Sequence, residues 1–380
     1  MLSATLKTDA SRGEFNLRIH DTSVVDTGLL GSADVSGSVQ QQGAIWKVEL
    51  EGTAPGDSQF TANGTVQIDG GKADAVQGEF QAKIASLAPY RSLAGVQLSG
   101  ALDVAAKGEI TLVDGQFTAS VEGSGRNLAM GQPALDPLIA GQSKITAELH
   151  RGVNTPVMLD DMKLTTDEVS LRATGQSDGS VNTLSFAGSL RDLGVVASGV
   201  NGPARADGTA VLQDDIWQVA VIAEGPGGAD IRVNGDVQSD GSRANLALSG
   251  SAHLELINPF IRPRLLSGQA AFDLVLDGPL ALSSLAGGVQ VASGRLVLPT
   301  QRLAFDIDGI TAQLAAGRAQ VDVTASVRDG GKITITGPLN LTAPYESDLQ
   351  ISARALHLSD GNLFKTTLDG SAALRGALTG

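Results

Sequence analysis

The sequence predicts an all-β fold, an elongated, mostly antiparallel and twisted sheet built from long repeats. Apolar and polar residues alternate over short runs from one end of the chain to the other, which is the period of a half-buried strand. Glycine, which destabilises helix interiors, supplies 47 of the 380 residues. Aromatic residues make up only 3%, although compact cores depend on them. Strands in an extended array are therefore expected.

The clearest alternating runs predict one apolar and one polar face. Trp46, Val48 and Leu50 share one side of a strand, while charged residues occupy the positions between them. Fourteen residues of such runs form the predicted apolar face: Trp46, Val48, Leu50, Trp217, Val219, Val221, Phe272, Leu274, Leu276, Val321, Val323, Val327, Ile333 and Ile335. For the two tryptophans, packing at a sheet edge is favoured over contact with a ligand.

Asx-Gly dipeptides recur between these runs and predict tight turns, because both residue types tolerate positive φ. Strands joined by such short turns pair antiparallel, so the sheet is predicted to be mostly a meander. The dipeptides are Asn63-Gly64, Asp69-Gly70, Asp114-Gly115, Asp178-Gly179, Asp207-Gly208, Asn234-Gly235, Asp240-Gly241, Asp308-Gly309 and Asp329-Gly330.

A longer repeat is visible when the chain is compared with itself. Ile45-Trp46 is echoed by Ile216-Trp217, and Asn63-Gly64 by Asn234-Gly235. Residues 1–380 therefore read as one continuous repetitive array, with approximate repeats at 35–205 and 206–380. Short helical segments are predicted within it at 84–90, 135–141, 254–260 and 363–370.

Two glycine motifs suggest chemistry that their surroundings do not support. Gly175 to Gly179 fits the G-x-S-x-G pattern of hydrolases, but that motif needs a following helix and an alternating run follows here. A hairpin tip is predicted instead. Gly123 to Leu128 begins like a dinucleotide-binding loop without its third glycine or a βαβ unit, and it is predicted to be an ordinary loop.

Composition excludes several classes of function. The formal charge of −14 repels nucleic acid. Cysteine is absent, and the four histidines are scattered without a second ligand or partner base: His20, His150, His253 and His357. We expect neither an enzyme nor a bound cofactor or metal.

The chain has no apolar run long enough to span a bilayer and no signal-peptide pattern at its start. It is therefore expected to be cytosolic or a piece of a longer protein. The sequence stops in mid-pattern at Leu378-Thr379-Gly380, which favours a piece.

An apolar face on a sheet with few helices has to be covered. A sheet curled into a trough would leave room for acyl chains along an aliphatic lining, whereas a β-sandwich or a solenoid would pack the face shut. Alternation alone leaves these possibilities open.

The segment 274–341 resembles the TamB and AsmA-like family of the Gram-negative envelope. The resemblance lies in Leu276 to Leu280, then Gly288 to Leu296, then Pro299, then Phe305 to Ile310. Earlier units, such as Leu266 to Ala270, look like the same recurring element.

The resemblance implies a β-taco-like groove that carries phospholipid acyl chains across the periplasm. It also implies support for outer-membrane protein assembly, with the outer-membrane barrel TamA as a partner of the parent protein. The chain would be tethered to the inner membrane by a segment absent from this sequence. The alternative is a secreted β-solenoid or adhesin-like structural protein with a closed core.

Overall fold

The computed structural model describes residues 2–8, 12–69, 72–133, 135–197, 199–301, 303–327, 330–360 and 364–377. The chain divides into two compact units, Met1–Arg191 (unit 1) and Asp192–Gly380 (unit 2). Both units consist of β-strands joined by turns and by very short helices, which confirms the predicted all-β class.

Unit 1 contains twelve described strands and two single-turn α-helices. The strands are β1 (Leu2–Thr8), β2 (Arg12–Ile19), β3 (Ala33–Gln42), β4 (Ile45–Ala54), β5 (Ser58–Asp69), β6 (Lys72–Ile84), β7 (Ser99–Thr111), β8 (Phe117–Ala129), β9 (Gln142–Arg151), β10 (Val157–Thr166), β11 (Val169–Ser177) and β12 (Asn182–Leu190). The helices are α1 (Arg91–Ala94) and α2 (Asp136–Ile139), and 3₁₀ turns lie at Thr22–Val24 and Ala88–Tyr90.

Unit 2 contains eleven described strands. They are β13 (Ala204–Gln213), β14 (Ile216–Gly225), β15 (Ala229–Gln238), β16 (Ala244–His253), β17 (Leu265–Gly278), β18 (Leu285–Leu298), β19 (Leu303–Ala315), β20 (Arg318–Val327), β21 (Lys332–Asn340), β22 (Glu346–Asp360) and β23 (Phe364–Ala377). Its 3₁₀ segments are Leu193–Val195, Pro226–Gly228, Leu254–Phe260, Leu282–Ser284 and Pro299–Gln301.

Within each unit, every described strand pairs antiparallel with the next strand along the chain. This confirms the predicted antiparallel meander. Such pairing needs no crossover helix, which agrees with the shortness of the helices.

The long connections of unit 1 lie at one edge of its sheet, at 20–32, 85–98 and 130–141. Side-chain hydrogen bonds hold them against neighbouring turns. Tyr90 Oη donates to the Pro55 carbonyl at 2.7 Å, and Thr166 Oγ1 donates to the Leu138 carbonyl at 2.7 Å. This edge is therefore an ordered rim.

The predicted short helical segments are mostly present. Residues 84–90 lead into α1, 135–141 contains α2, and 254–260 is a 3₁₀ segment. The prediction for 363–370 is wrong over its described residues, because β23 begins at Phe364. The strand continues through Thr366, Leu368 and Gly370. Gly370 therefore does not interrupt it.

Several Asx-Gly dipeptides are not turns. Asp114-Gly115, Asp178-Gly179 and Asp240-Gly241 do connect strands, whereas Asp69-Gly70 and Asp329-Gly330 each include a residue outside the described ranges. Four others lie inside strands: Asn63-Gly64, Asp207-Gly208, Asn234-Gly235 and Asp308-Gly309. In each of these four the Asx residue is exposed and the glycine is more buried. Three of the dipeptides follow the alternation of their strand, whereas Asp308-Gly309 lies at a bulge in β19.

The two glycine motifs of unit 1 have different outcomes. Gly175 to Gly179 ends β11 and enters the turn to β12, which confirms the predicted hairpin tip. The loop predicted at Gly123 to Leu128 is wrong, because this segment lies within β8. Gly123 is covered by the side chain of Ile145 on the paired strand. The glycine thus accommodates a side chain of the paired strand and does not mark a loop.

The apolar packing is lateral, between neighbouring strands. One cluster in unit 2 centres on Ala244, Leu246 and Leu276, and another on Phe305, Ala325 and Leu356. No described side chain is completely buried, and large apolar side chains such as Phe80 (41%) and Phe260 (63%) are exposed. Much of the apolar surface therefore stays accessible.

Strand positions recur along the chain. Strands β3, β4 and β5 begin at Ala33, Ile45 and Ser58, and β13, β14 and β15 begin at Ala204, Ile216 and Ala229. The spacing between starts is the same in both sets. The Ile-Trp pair opens β4 in unit 1 and β14 in unit 2.

Candidate functional site

The strand register arranges the apolar side chains of unit 1 in rows that run across the sheet, because directly paired residues share a face. The central row contains one residue from each strand from β2 to β12. Its members are Phe15, Gly37, Leu50, Ala62, Phe80, Ala106, Val121, Ala147, Met162, Ala173 and Phe186. At about 4.8 Å per strand, the row extends for roughly 48 Å.

Large and small residues alternate along this central row without exception. Even-numbered strands contribute the larger side chains, and odd-numbered strands contribute glycine or alanine. The small members make room: the rings or methyl groups of Phe15 and Leu50 occupy the space above Gly37. Such alternation is typical of side chains that converge on the inner side of a curved sheet.

A second row beside the central one is also apolar throughout. It contains Leu17, Val35, Gly52, Phe60, Ala82, Val104, Gly123, Ile145, Leu164, Leu171 and Gly188. The opposite face carries the polar residues, as in the row from Asn16 through Ser36, Glu51 and Thr61 to Gln81.

Unit 2 has equivalent apolar rows. One contains Gly208, Val221, Val233, Leu248, Leu274, Gly287, Leu314, Ala319 and Leu339, and the next contains Ala206, Ala223, Ile231, Gly250, Phe272, Val289, Ala312, Val321 and Gly337. Here large residues are direct neighbours, as in the pairing of Leu248 with Leu274. Both clusters of buried apolar residues found among the described residues also lie in unit 2.

The structure places all fourteen residues of the predicted apolar face on the apolar side of their unit. Trp46, Val48 and Leu50 lie on β4 in unit 1, and the other eleven lie on β14, β17, β20 and β21 in unit 2. Thirteen are half-buried, and Leu276 is buried at 8% exposure. Strand pairing brings the residues of unit 2 together, since Leu274, Phe272 and Val321 belong to its apolar rows.

The polar faces carry exposed ion pairs. Lys47 Nζ lies 2.7 Å from Glu49 Oε1, and Arg243 lies 2.9 Å from Asp277. Solvent-exposed pairs of this kind contribute only about 0–1 kcal/mol each. Their effect is to keep this face hydrated.

Aspartates in the turns are held in their charged form. The backbone N–H of Val181 and groups of Ser180 hydrogen bond to Asp178 and lower the pKa of its carboxyl from 3.8. A hydrogen bond from the Ser92 hydroxyl likewise lowers the pKa of Asp26, and it links the connections 20–32 and 85–98. These carboxylates are anchors of turns.

The histidines occupy separate places. His150 Nδ1 lies 2.6 Å from Asp160 Oδ2 on the polar face, and His253 hydrogen bonds to the Gly227 carbonyl. Over the described residues, no group of three or more acidic or histidine side chains is arranged to hold a metal ion.

Helices within the described ranges are too short and too polar to cross a membrane.

The apolar face of unit 1 contains a hollow that was not predicted from the sequence. It has a volume of about 450 Å³ and an almost entirely apolar lining, with Gly64, Gly78 and Gly108 among its residues. Phe80 and Ile110 lie on either side of these glycines along β6 and β7. The sequence does contain a sign of this hollow, because three successive strands each have a glycine at a position that faces the apolar side.

Comparison with known proteins provides no relative for this chain: no family model matches it, and neither a curated protein nor a solved structure does.

Proposed function

We propose that this chain is a lipid conduit or scaffold of the TamB and AsmA-like type, in which the apolar face of each sheet lines a groove for phospholipid acyl chains. The observation that carries the proposal is the apolar rows, which cross strand after strand without a polar residue in unit 1. A surface of this kind matches an apolar ligand better than a polar one.

The groove itself is supported by the central row of unit 1. A sheet that curls toward its apolar face brings those side chains together, so bulky residues can be accommodated only if small ones lie between them. The strict alternation from Phe15 to Phe186 satisfies this condition. The polar face, by contrast, has charged and long side chains in direct succession, as at Glu79 and Lys107.

The accessible apolar face favours a conduit over a closed core. No described side chain is completely enclosed, and the apolar clusters join neighbours within one sheet. The alternative of a secreted β-solenoid or adhesin-like protein would call for strands stacked in parallel from coil to coil. The antiparallel pairing of consecutive strands in both units differs from that arrangement.

The wider setting of the proposal comes from the sequence resemblance. It comprises a periplasmic location, a tether to the inner membrane outside this sequence, transport of phospholipid between the membranes, and support for outer-membrane protein assembly with a TamA-type barrel. The charge of −14 agrees with a role in which anionic headgroups stay away from the protein while acyl chains contact it.

The test is a comparison of adjacent residues on opposite faces. Val323 pairs with Ile310 and Ile335 on the apolar face, and Thr324 pairs with Gly309 and Thr334 on the other. A photo-crosslinking residue at Val323 is expected to label phospholipid in cells, and the same residue at Thr324 is not.

Native mass spectrometry supplies an independent measurement, with co-purifying phospholipid as the expected result. Equal labelling at Val323 and Thr324, or a lipid-free protein without labelling at either position, would sink the proposal. Leu50 and Glu51 form a matched pair for the same comparison in unit 1.

A further inference from the structure

The hollow in the apolar face of unit 1 has a floor of three glycines in direct register. Gly64 pairs with Gly78, and Gly78 pairs with Gly108. Ala119 continues the row on β8. The row thus lacks any side chain larger than a methyl group across four strands, a length of about 14 Å.

Larger residues bound this glycine lane at both ends. Val48 precedes Gly64 in the row, and Leu149 follows Ala119. Along the strands, Phe80 lines one side of the lane and Val66 and Val76 line the other, each two residues from a floor glycine. The result is an elongated depression of about 450 Å³, within the usual range of roughly 300–1,000 Å³ for ligand sites.

Phe80 lacks the cover that the rest of the central row has. It is 41% exposed, whereas the other members of the central row are buried or half-buried. Ile110, which pairs with Val76, is 36% exposed. Large apolar side chains left exposed around a depression mark a place where an apolar ligand gains contact area.

We infer that the glycine lane holds a single unbranched alkyl chain lying across β5 to β8, with Phe80 against one side of the chain and Val66 and Val76 against the other. The inference rests on the proposed function and specifies where and how one chain is held. The lining offers an alkyl chain apolar contacts and gives a headgroup no charged partner at the floor.

Sheet twist distinguishes an alkyl chain from a rigid ring system. Neighbouring strands rotate by about 20–25° relative to each other, so the floor turns by roughly 60–75° from β5 to β8. A flexible chain follows this surface through rotation about its single bonds. A flat fused-ring lipid such as a sterol cannot remain in contact along the whole lane.

The experiment blocks the lane with a larger side chain and measures lipid crosslinking at the neighbouring position 80. A photo-crosslinking phenylalanine derivative replaces Phe80, and the protein is incubated with vesicles of radiolabelled phosphatidylcholine. Ala119→Leu puts a larger side chain on the floor and is expected to lower labelling at position 80 about tenfold, through lost alkyl contacts. Ala106→Leu, at another lining position, provides a second variant if Ala119→Leu unfolds, as judged by Trp46 fluorescence.

The matched control is Ala105→Leu, because Ala105 is next to Ala106 on β7 but lies on the polar face. It should leave labelling at position 80 unchanged. Unchanged labelling in folded Ala119→Leu and Ala106→Leu, or equal labelling by a radiolabelled sterol in the same vesicles, overturns the inference.

A crosslinker at Val323 in unit 2 separates this outcome from failure of the proposed function. If lipid labels position 323, and labelling at position 80 does not change in Ala119→Leu and Ala106→Leu, the proposed lane is wrong and the proposed conduit stands. If lipid labels neither position, the conduit itself is wrong.

Discussion

The two units use glycine inside their strands in different ways. In unit 2, Gly235 and Gly337 have φ values of 142° and 147°, and an added Cβ would overlap a carbonyl oxygen of the paired strand. In unit 1, Gly37 and Gly64 keep negative φ, and Gly100 is the one glycine inside a described strand that has a positive value, 99°. These glycines of unit 2 therefore adopt backbone conformations that other residues rarely reach.

Burial follows the same division. Both clusters of buried apolar residues lie in unit 2, whereas the glycine-floored hollow lies in unit 1. Glycines with positive φ and clusters of buried apolar residues occur together in unit 2, and an accessible apolar surface occurs where the glycines remain extended. Sheets with the same topology can thus be tuned toward stability or toward access through their glycines.

The largest expected difference concerns core truncation. Leu276→Ala in the buried cluster of unit 2 should lower the free energy of unfolding by about 3 kcal/mol, because a cavity remains. Leu50→Ala in unit 1, where the side chain is half-buried, should cost about 1 kcal/mol. Chemical denaturation can be followed with Trp217 in a Trp46→Phe background and with Trp46 in a Trp217→Phe background.

The control for this comparison is Thr209→Ala on the exposed face of unit 2, expected to change stability by less than about 0.5 kcal/mol. Equal costs for Leu276→Ala and Leu50→Ala would mean that the two units are packed alike.

A sharper comparison uses two corresponding glycines. Gly235→Ala should destabilise unit 2 by about 2 kcal/mol, because its φ is unfavourable for alanine and its Cβ would overlap the Asn245 carbonyl. Gly64→Ala should cost less, about 1 kcal/mol, because its φ is ordinary, although its Cβ would lie 2.8 Å from the Gln77 carbonyl and the backbone would have to shift slightly. The same single-tryptophan denaturation measures both.

Gly370→Ala serves as the reference, because nothing lies within 4 Å of its added Cβ and its φ is ordinary. It should be neutral or slightly stabilising. If Gly64→Ala proves as costly as Gly235→Ala, backbone conformation is not what distinguishes the units.

The alternation was sufficient to predict the faces of the strands because a period of two is a local property of the chain. Trp46, Val48 and Leu50 could be placed on one side without knowledge of their neighbours. The antiparallel order followed from the shortness of most connections. The repeat boundaries at 35–205 and 206–380, and the function, remain predictions.

The lane escaped prediction because it depends on register, which is not local. Gly64, Gly78 and Gly108 belong to three strands, and only the pairing offsets show that they are neighbours. The same limitation explains the misassigned Asn63-Gly64. As an isolated dipeptide it suits a turn, whereas in the sheet its asparagine faces solvent and its glycine faces the apolar row.

The smallest expected effect is acid sensitivity, which should be greater in unit 1. Hydrogen bonds lower the pKa of Asp21, Asp26, Asp114 and Asp178 in unit 1 below 3.8, and of Asp240 in unit 2. A lowered folded-state pKa contributes stability that is complete above the unfolded-state pKa and lost as pH falls through the folded-state value. Stability should therefore be constant near neutral pH and decline below about pH 4.

Thermal unfolding of the two single-tryptophan variants at pH 6 and pH 3 measures this difference, with a larger drop in midpoint expected from Trp46 than from Trp217. Asp178→Asn keeps the acceptor oxygen but removes the titration, so it should reduce the pH dependence of the Trp46 transition. Asp240→Asn is the matched change in unit 2 and should leave the transition reported by Trp46 unaltered. Equal drops at both tryptophans would instead indicate general charge effects of protonation, and the turn aspartates would not account for a difference between the units.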